Sequence, residues 1–346
     1  MRIDKAKFPD RRKKGRFFIL AGDIGGTKTN IGFFISAGGS LRPAKICNFH
    51  NADYPAFSLI LKEFLKEHHA DIRGACFGVA GPVINGICKA TNLPWVVDTA
   101  ELKAELGIEA VVLINDMEAT AYGIGGLPKA AFAILNPGRS QPQGNIAVIA
   151  AGTGLGEGML LWNGHGYQAV ASEGGHADFA PCDMLELDLC KYLLHKFGHS
   201  SYERVLSGPG LWNIYDFLKN KNPARAPAWL TKELAENDPG TVIVKNALNG
   251  RNKLCGQALH LFCAIYGAEA GNLALKVLGR GGVYLAGGIA PKILSKLQDG
   301  TFRQAFLKKG RFSHFLSQIP VRVILEEKTA LYGAAVHALQ FTSSGN

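Results

Sequence analysis

Cysteine pairs, a Walker A motif and a long uninterrupted apolar run are all missing from this 346-residue chain. The seven cysteines are scattered and show no C-x-x-C pair, so they predict free thiols in a reducing compartment rather than disulfides or a zinc site. None of the glycine turns carries G-x-x-x-x-G-K-[ST], which argues against a P-loop NTPase. The longest apolar stretch, 254–278, includes His260, Glu269 and Asn272 and therefore predicts a buried helix rather than a membrane span.

A secretory signal is absent as well. The apolar run 17–22 is too short for the core of a signal peptide, and Asp23 interrupts it. We therefore expect a cytoplasmic protein with no membrane partner.

Positive charge is concentrated at the N-terminus. The chain has a formal charge of +10, and the eight Lys/Arg and two Asp of residues 1–16 contribute +6, which leaves +4 for the other 330 residues. We expect residues 1–16 to be a disordered, solvated basic arm, with contact to nucleic acid or a membrane surface as the alternative. Because most of the charge is confined to this arm, we expect no nucleic-acid partner, and sixteen residues are too few for the helix-turn-helix domain of a DNA-binding regulator.

Length and pattern predict two α/β domains. Short apolar runs alternate with helical patterns over residues 17–117, and longer helical patterns follow. We expect a small domain of 17–117 plus 329–346 and a large domain of 118–328. Helices are expected at 57–69, 98–106, 183–197, 210–219, 252–279 and 329–340, and strands at 17–21, 30–35, 74–79, 111–114, on both sides of the turn in 145–162, at the start of 283–291, and at 321–325.

One pattern occurs twice: a tight Gly/Thr turn between two apolar strand-like runs, at 17–35 and at 145–162. A third glycine turn follows the apolar run at 285–291. Backbone N–H groups of such turns can hold phosphates at close approach, so the repeat predicts an ATP clamp and phosphoryl transfer. Asp23 precedes the first turn, where a carboxylate could hold waters on Mg²⁺ while the loop amides and the Thr27 hydroxyl meet the phosphates.

A carboxylate follows the buried run 111–114, which stops abruptly at Asn115 and Asp116. The C-terminal edge of a parallel sheet is where α/β folds bind ligands. Asp116 could accept a proton from a substrate hydroxyl that attacks phosphorus. The alternative is that Asp116 caps the helix that follows.

Two further segments carry polar side chains suited to a polyhydroxylated ligand. In 171–181, Glu173 and His176 flank a Gly-Gly pair and could both hydrogen-bond to such a ligand, although such a segment taken alone is more often a surface loop than a site. In 200–210, Glu203 is expected on a short helix before a Gly-Pro-Gly break. By its own pattern Glu203 is a solvated helical glutamate.

In this order, the segments resemble the sugar kinases of the hexokinase/actin/Hsp70 ATPase superfamily and, most closely, the bacterial-type glucokinase family. The resemblance extends from about residue 17 over nearly the whole chain. Its motifs are GDIGGTKTN, LINDMEA, AAGTGLGEG, EGGHADFAP, YERVLSGPG and LAGGIAP. It implies a two-lobed actin-like ATPase fold of the α/β, ribonuclease H-like class, with a cleft between a smaller and a larger domain.

The resemblance also implies an activity, namely ATP-dependent phosphorylation of D-glucose to glucose 6-phosphate by a homodimer. Asp116 would be the general base, and Asp23 would hold Mg²⁺ through water. The sugar would be bound by Asn92, Asn115, Asp116, Glu173, His176 and Glu203. ATP would be bound by Gly25, Gly26, Thr27, Lys28, Gly152, Thr153, Gly154, Gly287 and Gly288.

The sequence departs from the family pattern at one position. Lys28 follows Gly-Gly-Thr where many close relatives have Asn, and the related ROK sugar kinases often have this Lys. The cysteine-rich zinc motif typical of ROK proteins is absent. Two alternatives therefore stay open: a kinase of another hexose or amino sugar with ROK-like specificity, and a catalytically silent sugar sensor.

Overall fold

The computed structural model describes residues 16–37, 40–67, 70–90, 93–222 and 226–343. Nearly all of the expected basic arm, residues 1–15, lies outside these ranges, and so does Asn92. The chain forms two compact units. Unit 1 runs to Leu127 and resumes at Lys328, and unit 2 is Pro128–Glu327. The first boundary falls ten residues after the expected one because the helix Asp116–Gly123 packs on the C-terminal helix of unit 1.

Unit 1 is built on a five-stranded sheet of order β3-β2-β1-β4-β8. Its strands are β1 (Arg16–Ile24), β2 (Lys28–Ala37), β3 (Ser40–His50), β4 (Ile72–Val79) and β8 (Val111–Asn115). The first three strands form an antiparallel meander, whereas β1, β4 and β8 run parallel. A small antiparallel sheet consists of β5 (Val83–Ile84), β6 (Ile87–Lys89) and β7 (Val96–Asp98).

Helices cover both faces of the main sheet of unit 1. They are α1 (Phe57–Glu67), α2 (Thr99–Leu106), α3 (Asp116–Gly123) and α13 (Thr329–Ser343). Successive residues of a strand point to opposite faces, so Leu20 packs in the cluster that contains α1, and Ile19 packs with α3 and α13. Asp98 caps α2 by accepting a hydrogen bond from Ala100 N, and Gly107 ends the helix in the left-handed region at φ 66°.

Unit 2 contains a six-stranded sheet of order β12-β11-β10-β13-β14-β9. Its strands are β9 (Phe132–Asn136), β10 (Ile146–Ala151), β11 (Leu155–Trp162), β12 (Tyr167–Ser172), β13 (Gly282–Ala286) and β14 (Val321–Ile324). The meander β10-β11-β12 is antiparallel, and β10, β13 and β14 run parallel. Five of these strands thus repeat the topology of the unit 1 sheet, and β9 is added antiparallel at the edge.

The helices of unit 2 enclose one large hydrophobic core. They are α4 (Met184–Phe197), α5 (Gly208–Lys221), α6 (Ala228–Glu236), α7 (Pro239–Leu248), α8 (Lys253–Lys276), α9 (Ile289–Lys292), α10 (Leu294–Leu297), α11 (Thr301–Leu307) and α12 (Ser313–Ser317). Among the described residues, α8 alone is long and apolar enough to cross a membrane, and most of it is buried in this core.

The predicted α/β class is confirmed, and the expected helices and strands are found with shifts of a few residues at their ends. The structure adds elements that the sequence reading did not resolve, chiefly β3, the small sheet, and helices α6, α7 and α9–α12. One local expectation was wrong: residues 203–205 form a turn between bends at 202 and 206–207, rather than a short helix around Glu203.

Candidate active site

The candidate site of unit 1 lies at the C-terminal ends of β1, β4 and β8. The strands are aligned so that Asp23 pairs with Gly78, and Gly78 pairs with Ile114 on the next strand. The register therefore places the end of β1 level with the end of β8, which leads directly into Asn115 and Asp116. Because Gly78 has no side chain, α3 can approach β4; a Cβ there would lie 2.7 Å from the Ala119 Cβ.

Asn115 and Asp116 have different roles at the start of α3. Asn115 is the cap residue, and its Oδ1 accepts a hydrogen bond from Met117 N at 2.8 Å. Glu118 completes a capping box by accepting a bond from Asn115 N at 2.9 Å. Asp116 is the first helical residue, and its Oδ1 accepts a bond from Met117 N at 2.9 Å. The helix cap, which was the alternative role for Asp116, is therefore Asn115. The Asp116 carboxylate lies in the first turn of α3.

The Asn115 side chain is fixed by the fold on both sides. Its Nδ2 donates to the Gly81 carbonyl at 3.1 Å, so the amide ties the end of β8 to the turn after β4. This arrangement holds the first turn of α3, and with it Asp116, in one position. Asn115 therefore has a structural role in addition to the predicted contact with sugar.

The first glycine turn is held rigidly by a residue that the sequence reading missed. Asn51 is almost fully buried, and its Nδ2 donates to the Gly25 carbonyl at 2.8 Å. Its Oδ1 accepts from the Thr29 hydroxyl at 2.7 Å, and its backbone N–H donates to the Thr27 carbonyl at 2.9 Å. A polar residue directly after a long strand was the available signal, but β3 itself had not been recognised. Thr27 and Lys28 stay exposed at the tip of the turn.

Asp23 is the candidate metal residue, and its surroundings suit a cation. Removal from water, together with the charge of Asp116, raises the pKa of Asp23 to about 6, although the hydrogen bond from Asn30 at 3.1 Å acts in the opposite direction. Two carboxylates that destabilise each other's charge fit Mg²⁺, which proteins bind through one or two carboxylates together with waters and phosphates. Among the described residues, no group of three or more His, Cys, Asp or Glu side chains forms a complete metal cage.

In unit 2 the structure brings the second and third glycine turns together. They follow β10 and β13, which pair in parallel so that Ala150 lies opposite Ala286. Gly287 has φ 80°, and a Cβ there would lie 2.3 Å from the Ala151 carbonyl oxygen, so only glycine fits beside β10. Gly152 and Gly288 have open space at their Cβ positions, and Thr153 is exposed.

The N-terminus of α5 adjoins the second glycine turn. Gly208 N donates to the Gly152 carbonyl at 2.9 Å, and Ser207 caps the helix by accepting from Gly210 N at 3.0 Å. A helix N-terminus favours negative charge, so α5 adds an electrostatic reason for phosphate at this turn. The sequence analysis predicts a break at Gly-Pro-Gly, whereas α5 begins at Gly208; Ser207, a residue type that favours helix caps, was the available signal.

The predicted sugar-binding residues of unit 2 converge on the same turn. Glu173 and His176 are exposed at the two ends of a 3-10 turn, Gly174–His176, which packs on the start of β11. Glu203 joins this turn to the phosphate turn: its backbone N–H donates to the Gly175 carbonyl at 2.8 Å, and its Oε2 accepts from Leu155 N at 3.0 Å. The structure therefore places the predicted residues in two groups.

The first group lies in unit 1 and the second in unit 2. Unit 1 holds Asp23, Gly25, Gly26, Thr27, Lys28, Asn115 and Asp116. Unit 2 holds Gly152, Thr153, Gly154, Glu173, His176, Glu203, Gly287 and Gly288. Asn92 is outside the described residues, so its predicted contact with sugar stays a prediction.

Comparison with known proteins identifies the class of fold to which these groups belong. A glucokinase from an Antarctic psychrotroph, solved by crystallography, matches with a TM-score of 0.84 and 29% identity, over 93% of this chain and 99% of that chain. The glucokinase of Balamuthia mandrillaris, solved in complex with glucose, matches with a TM-score of 0.78 and 22% identity over 95% of each chain. The fold is therefore the two-domain actin-like fold of sugar kinases.

Sequence comparison then gives the family. The glucokinase family model matches residues 20–341. A glucokinase of Nostoc punctiforme is 45% identical over 335 residues, which cover 92% of this chain and 98% of the relative. The chain belongs to the glucokinase family.

Proposed function

We propose that this protein transfers the γ-phosphoryl group of ATP to the 6-hydroxyl of D-glucose, with Asp116 as the general base. The observation that carries the proposal is the position of Asp116, at the N-terminus of α3 and at the sheet edge that also carries Asp23. Membership of the glucokinase family supports glucose and ATP as the substrates.

In the proposed reaction, the glucose 6-oxygen forms a bond to the γ-phosphorus while the bond between that phosphorus and the β,γ-bridging oxygen breaks. The proton of the 6-hydroxyl passes to the Asp116 carboxylate. Asp23 would hold Mg²⁺ through water, and the bound ion would neutralise charge on the phosphate oxygens. Most of the rate in phosphoryl transfer comes from positioning, and a well-oriented pair gains about 7–11 kcal/mol over free reactants.

The glycine turns and the polar side chains would bind different substrates. Glycine turns bring backbone N–H groups close to phosphate, so Gly25–Lys28, Gly152–Gly154 and Gly287–Gly288 would bind ATP. Sugar hydroxyls both donate and accept hydrogen bonds, which suits the mixture of Asn115, Glu173, His176 and Glu203. The bond between Glu203 and Leu155 N would couple sugar binding to the shape of the second phosphate turn.

We also propose a location and an oligomeric state for the protein. All seven cysteines are free thiols, which supports a reducing, cytoplasmic location. A homodimer is proposed on the family resemblance, and light scattering of the purified protein measures it directly.

The decisive experiment compares Asp116→Asn with the wild type. We expect the variant to fold and to bind glucose, because Asn has nearly the same shape, and to lose roughly 10²- to 10⁴-fold in turnover as the proton acceptor is lost. Turnover is measured as ADP release with glucose, mannose, glucosamine and fructose, and glucose binding is measured by calorimetry.

Asp98→Asn is the matched control in the same unit. Asn is as good a helix cap as Asp, so stability and turnover should both match the wild type. Wild-type turnover by Asp116→Asn would remove Asp116 from the proposed role. Glucose binding without ADP release by the wild type would instead identify a sugar sensor.

A further inference from the structure

Two buried carboxyl groups of unit 2 have no role in the proposed reaction. Glu157 on β11 and Glu269 on α8 are 1% and 0% exposed. Buried carboxyls are costly unless they are paired or protonated, so their presence calls for a physical reason. The surroundings of Glu157 supply one.

Glu157 supports the 3-10 turn that carries the predicted sugar-binding residues. A Cβ built on Gly174 would lie 2.2 Å from the Glu157 Oε2, so this carboxyl lies directly against the turn backbone. The backbone is tied in as well: the Ser172 hydroxyl donates to the Glu157 carbonyl at 3.1 Å and accepts from Gly174 N at 3.2 Å. The Glu157 carboxyl is therefore packed against the segment between Glu173 and His176, and the backbone of the same residue is tied to that segment through Ser172.

Glu269 belongs to a polar network that reaches the other sugar-binding segment. Asn272 Nδ2 donates to the Glu269 Oε2 at 2.8 Å and to the Tyr202 hydroxyl at 2.9 Å. Tyr202 directly precedes Glu203, and its backbone N–H donates to the Ala177 carbonyl at 3.0 Å. The network thus lies against both segments, with Glu157 at one and Tyr202 at the other.

Two lysines supply the positive charge of this network. Lys276 on α8 lies 3.4 Å from the Glu269 Oε1, and Lys309 donates to the Asn272 Oδ1. Among the described residues, the Glu157 Oε1 has no hydrogen-bond partner. Burial first, then the charge of Glu269 and a side-chain hydrogen bond to it, raise the pKa of Glu157 to about 7, against the opposing charge of Lys276. A proton on Glu157 therefore relieves the repulsion between two buried carboxylates.

We propose that Glu157 is a positioning residue for glucose binding: its protonated carboxyl supports the Gly174–His176 turn, and Glu269 connects this support to Tyr202 beside Glu203. The proposal rests on the proposed function, because it takes these segments as the sugar-binding part of the site. It adds that the affinity for glucose depends on the proton carried by this buried carboxyl.

The pH dependence of glucose affinity tests the proposal. If only the protonated form holds the turn, the dissociation constant for glucose rises about tenfold per pH unit above the pKa of Glu157. We expect the wild type to bind glucose roughly tenfold more weakly at pH 8 than at pH 6.5. Glu157→Gln carries a permanent, uncharged hydrogen-bond donor, so its dissociation constant should stay near the pH 6.5 value throughout. Calorimetry without ATP measures binding independently of turnover.

Two further variants separate positioning from folding. Tyr202→Phe keeps the ring and removes the hydroxyl bonded by Asn272, and we expect weaker glucose binding with turnover at saturating glucose within about twofold of the wild type. Glu233→Gln is the control: Glu233 bonds to Lys245 and Asn246 on α7, away from both segments, and its variant should keep the wild-type pH profile.

The outcomes are distinguishable from a failure of the proposed function. Identical pH profiles of glucose affinity for wild type and Glu157→Gln would overturn the positioning role and leave the kinase proposal intact. A lower unfolding temperature of Glu157→Gln with an unchanged profile would overturn it in the same way, as a purely structural role. A wild type that binds no glucose at any pH would overturn the proposed function itself.

Discussion

Two glycines in the second phosphate turn have different reasons to be glycine. A Cβ at Gly152 would meet nothing within 4 Å, whereas a Cβ at Gly154 would lie 2.6 Å from the Glu203 Oε2. The packing of the chain therefore does not require glycine at position 152, whereas the proposed close approach of phosphate to this turn would. Gly154 is required by the carboxylate behind it, which also accepts a bond from Leu155 N.

Alanine at each position should give a different kinetic defect. For Gly152→Ala we expect an unchanged unfolding temperature and a KM for MgATP raised about tenfold, a loss of roughly 1.4 kcal/mol in binding. For Gly154→Ala we expect a displaced Glu203 and a loss of about 10²-fold in kcat/KM for glucose, as small displacements in such sites cause. Steady-state kinetics with each substrate varied in turn measures both.

Gly256→Ala in α8 is the matched control, since a Cβ there also meets nothing within 4 Å. Its kinetics should be those of the wild type, with a gain in stability of about 0.5–1 kcal/mol from the better helix former. An unchanged KM for MgATP in Gly152→Ala would show that ATP does not approach this turn closely.

At the level of elements, unit 1 depends on close packing between α3 and α13. A Cβ at Gly333 on α13 would lie 1.7 Å from the Ala119 carbonyl oxygen, and one at Gly123 on α3 would lie 2.2 Å from the Thr329 carbonyl oxygen. Each helix thus presents a glycine to the backbone of the other. Because α3 begins with Asp116, the close packing of α3 on α13 also helps to position the proposed base at the edge of the sheet.

Gly333→Ala should separate the two helices. We expect a loss of about 3 kcal/mol in the free energy of unfolding, at the upper end of typical overpacking, because the clash involves backbone that cannot rotate away. Urea unfolding followed by circular dichroism measures it. Gly125→Ala lies just beyond α3 and has open space, so it should unfold like the wild type. Equal stability of the two variants would contradict the packing described here.

The sequence predicted some of these elements better than others. Strong local signals, such as the cap at Asp98 and the long apolar period of α8, fixed elements to within a few residues. Strand β3 was missed because SLRPAKICNFH contains a proline and no regular alternation; its place in the sheet comes from pairing with β2. Asn51 and the Glu157 network were missed for a different reason, since Asn51 bonds to Gly25 and Asn272 to Tyr202, partners that lie far away in sequence. The sequence motifs identified the glycine turns and the predicted sugar-binding segments, but not the long-range hydrogen bonds that support them.

At the scale of the whole molecule, the hydrophobic cores follow the division into units. Every buried residue of the largest cluster, from Leu135 to Val323, belongs to unit 2, and the other two clusters belong to unit 1. Unit 2 is one continuous stretch of chain, whereas unit 1 needs both ends of the chain. A segment with its own core can in principle fold alone.

Residues 128–327, expressed alone, should fold. We expect a cooperative thermal transition and dispersed amide resonances, because the fragment keeps its sheet and its complete core. The fragment should show no kinase activity, since Asp116 is not part of it. Circular dichroism and a coupled ADP assay measure the two properties.

Residues 16–127 provide the contrasting fragment. Without α13, the apolar residues of β1, β4 and α3 that pack on it would face water, so this fragment should aggregate or stay unfolded. Adding residues 328–343 through a flexible linker should restore folding. A fragment 128–327 without a cooperative transition would contradict the independence of the large core.

The return of the C-terminal helix to unit 1 has a consequence for biosynthesis. On the ribosome, β1, β4 and β8 are translated before unit 2, but α13, which covers one face of them, is translated only after it. At about 5–20 residues per second, the 200 residues of unit 2 delay that helix by roughly 10–40 s. During this interval the nascent N-terminal sheet exposes an apolar face, while unit 2 completes its own core. A premature stop codon before α13 would therefore leave a chain with a finished second unit and a permanently open first unit, which is the kind of surface that chaperones bind.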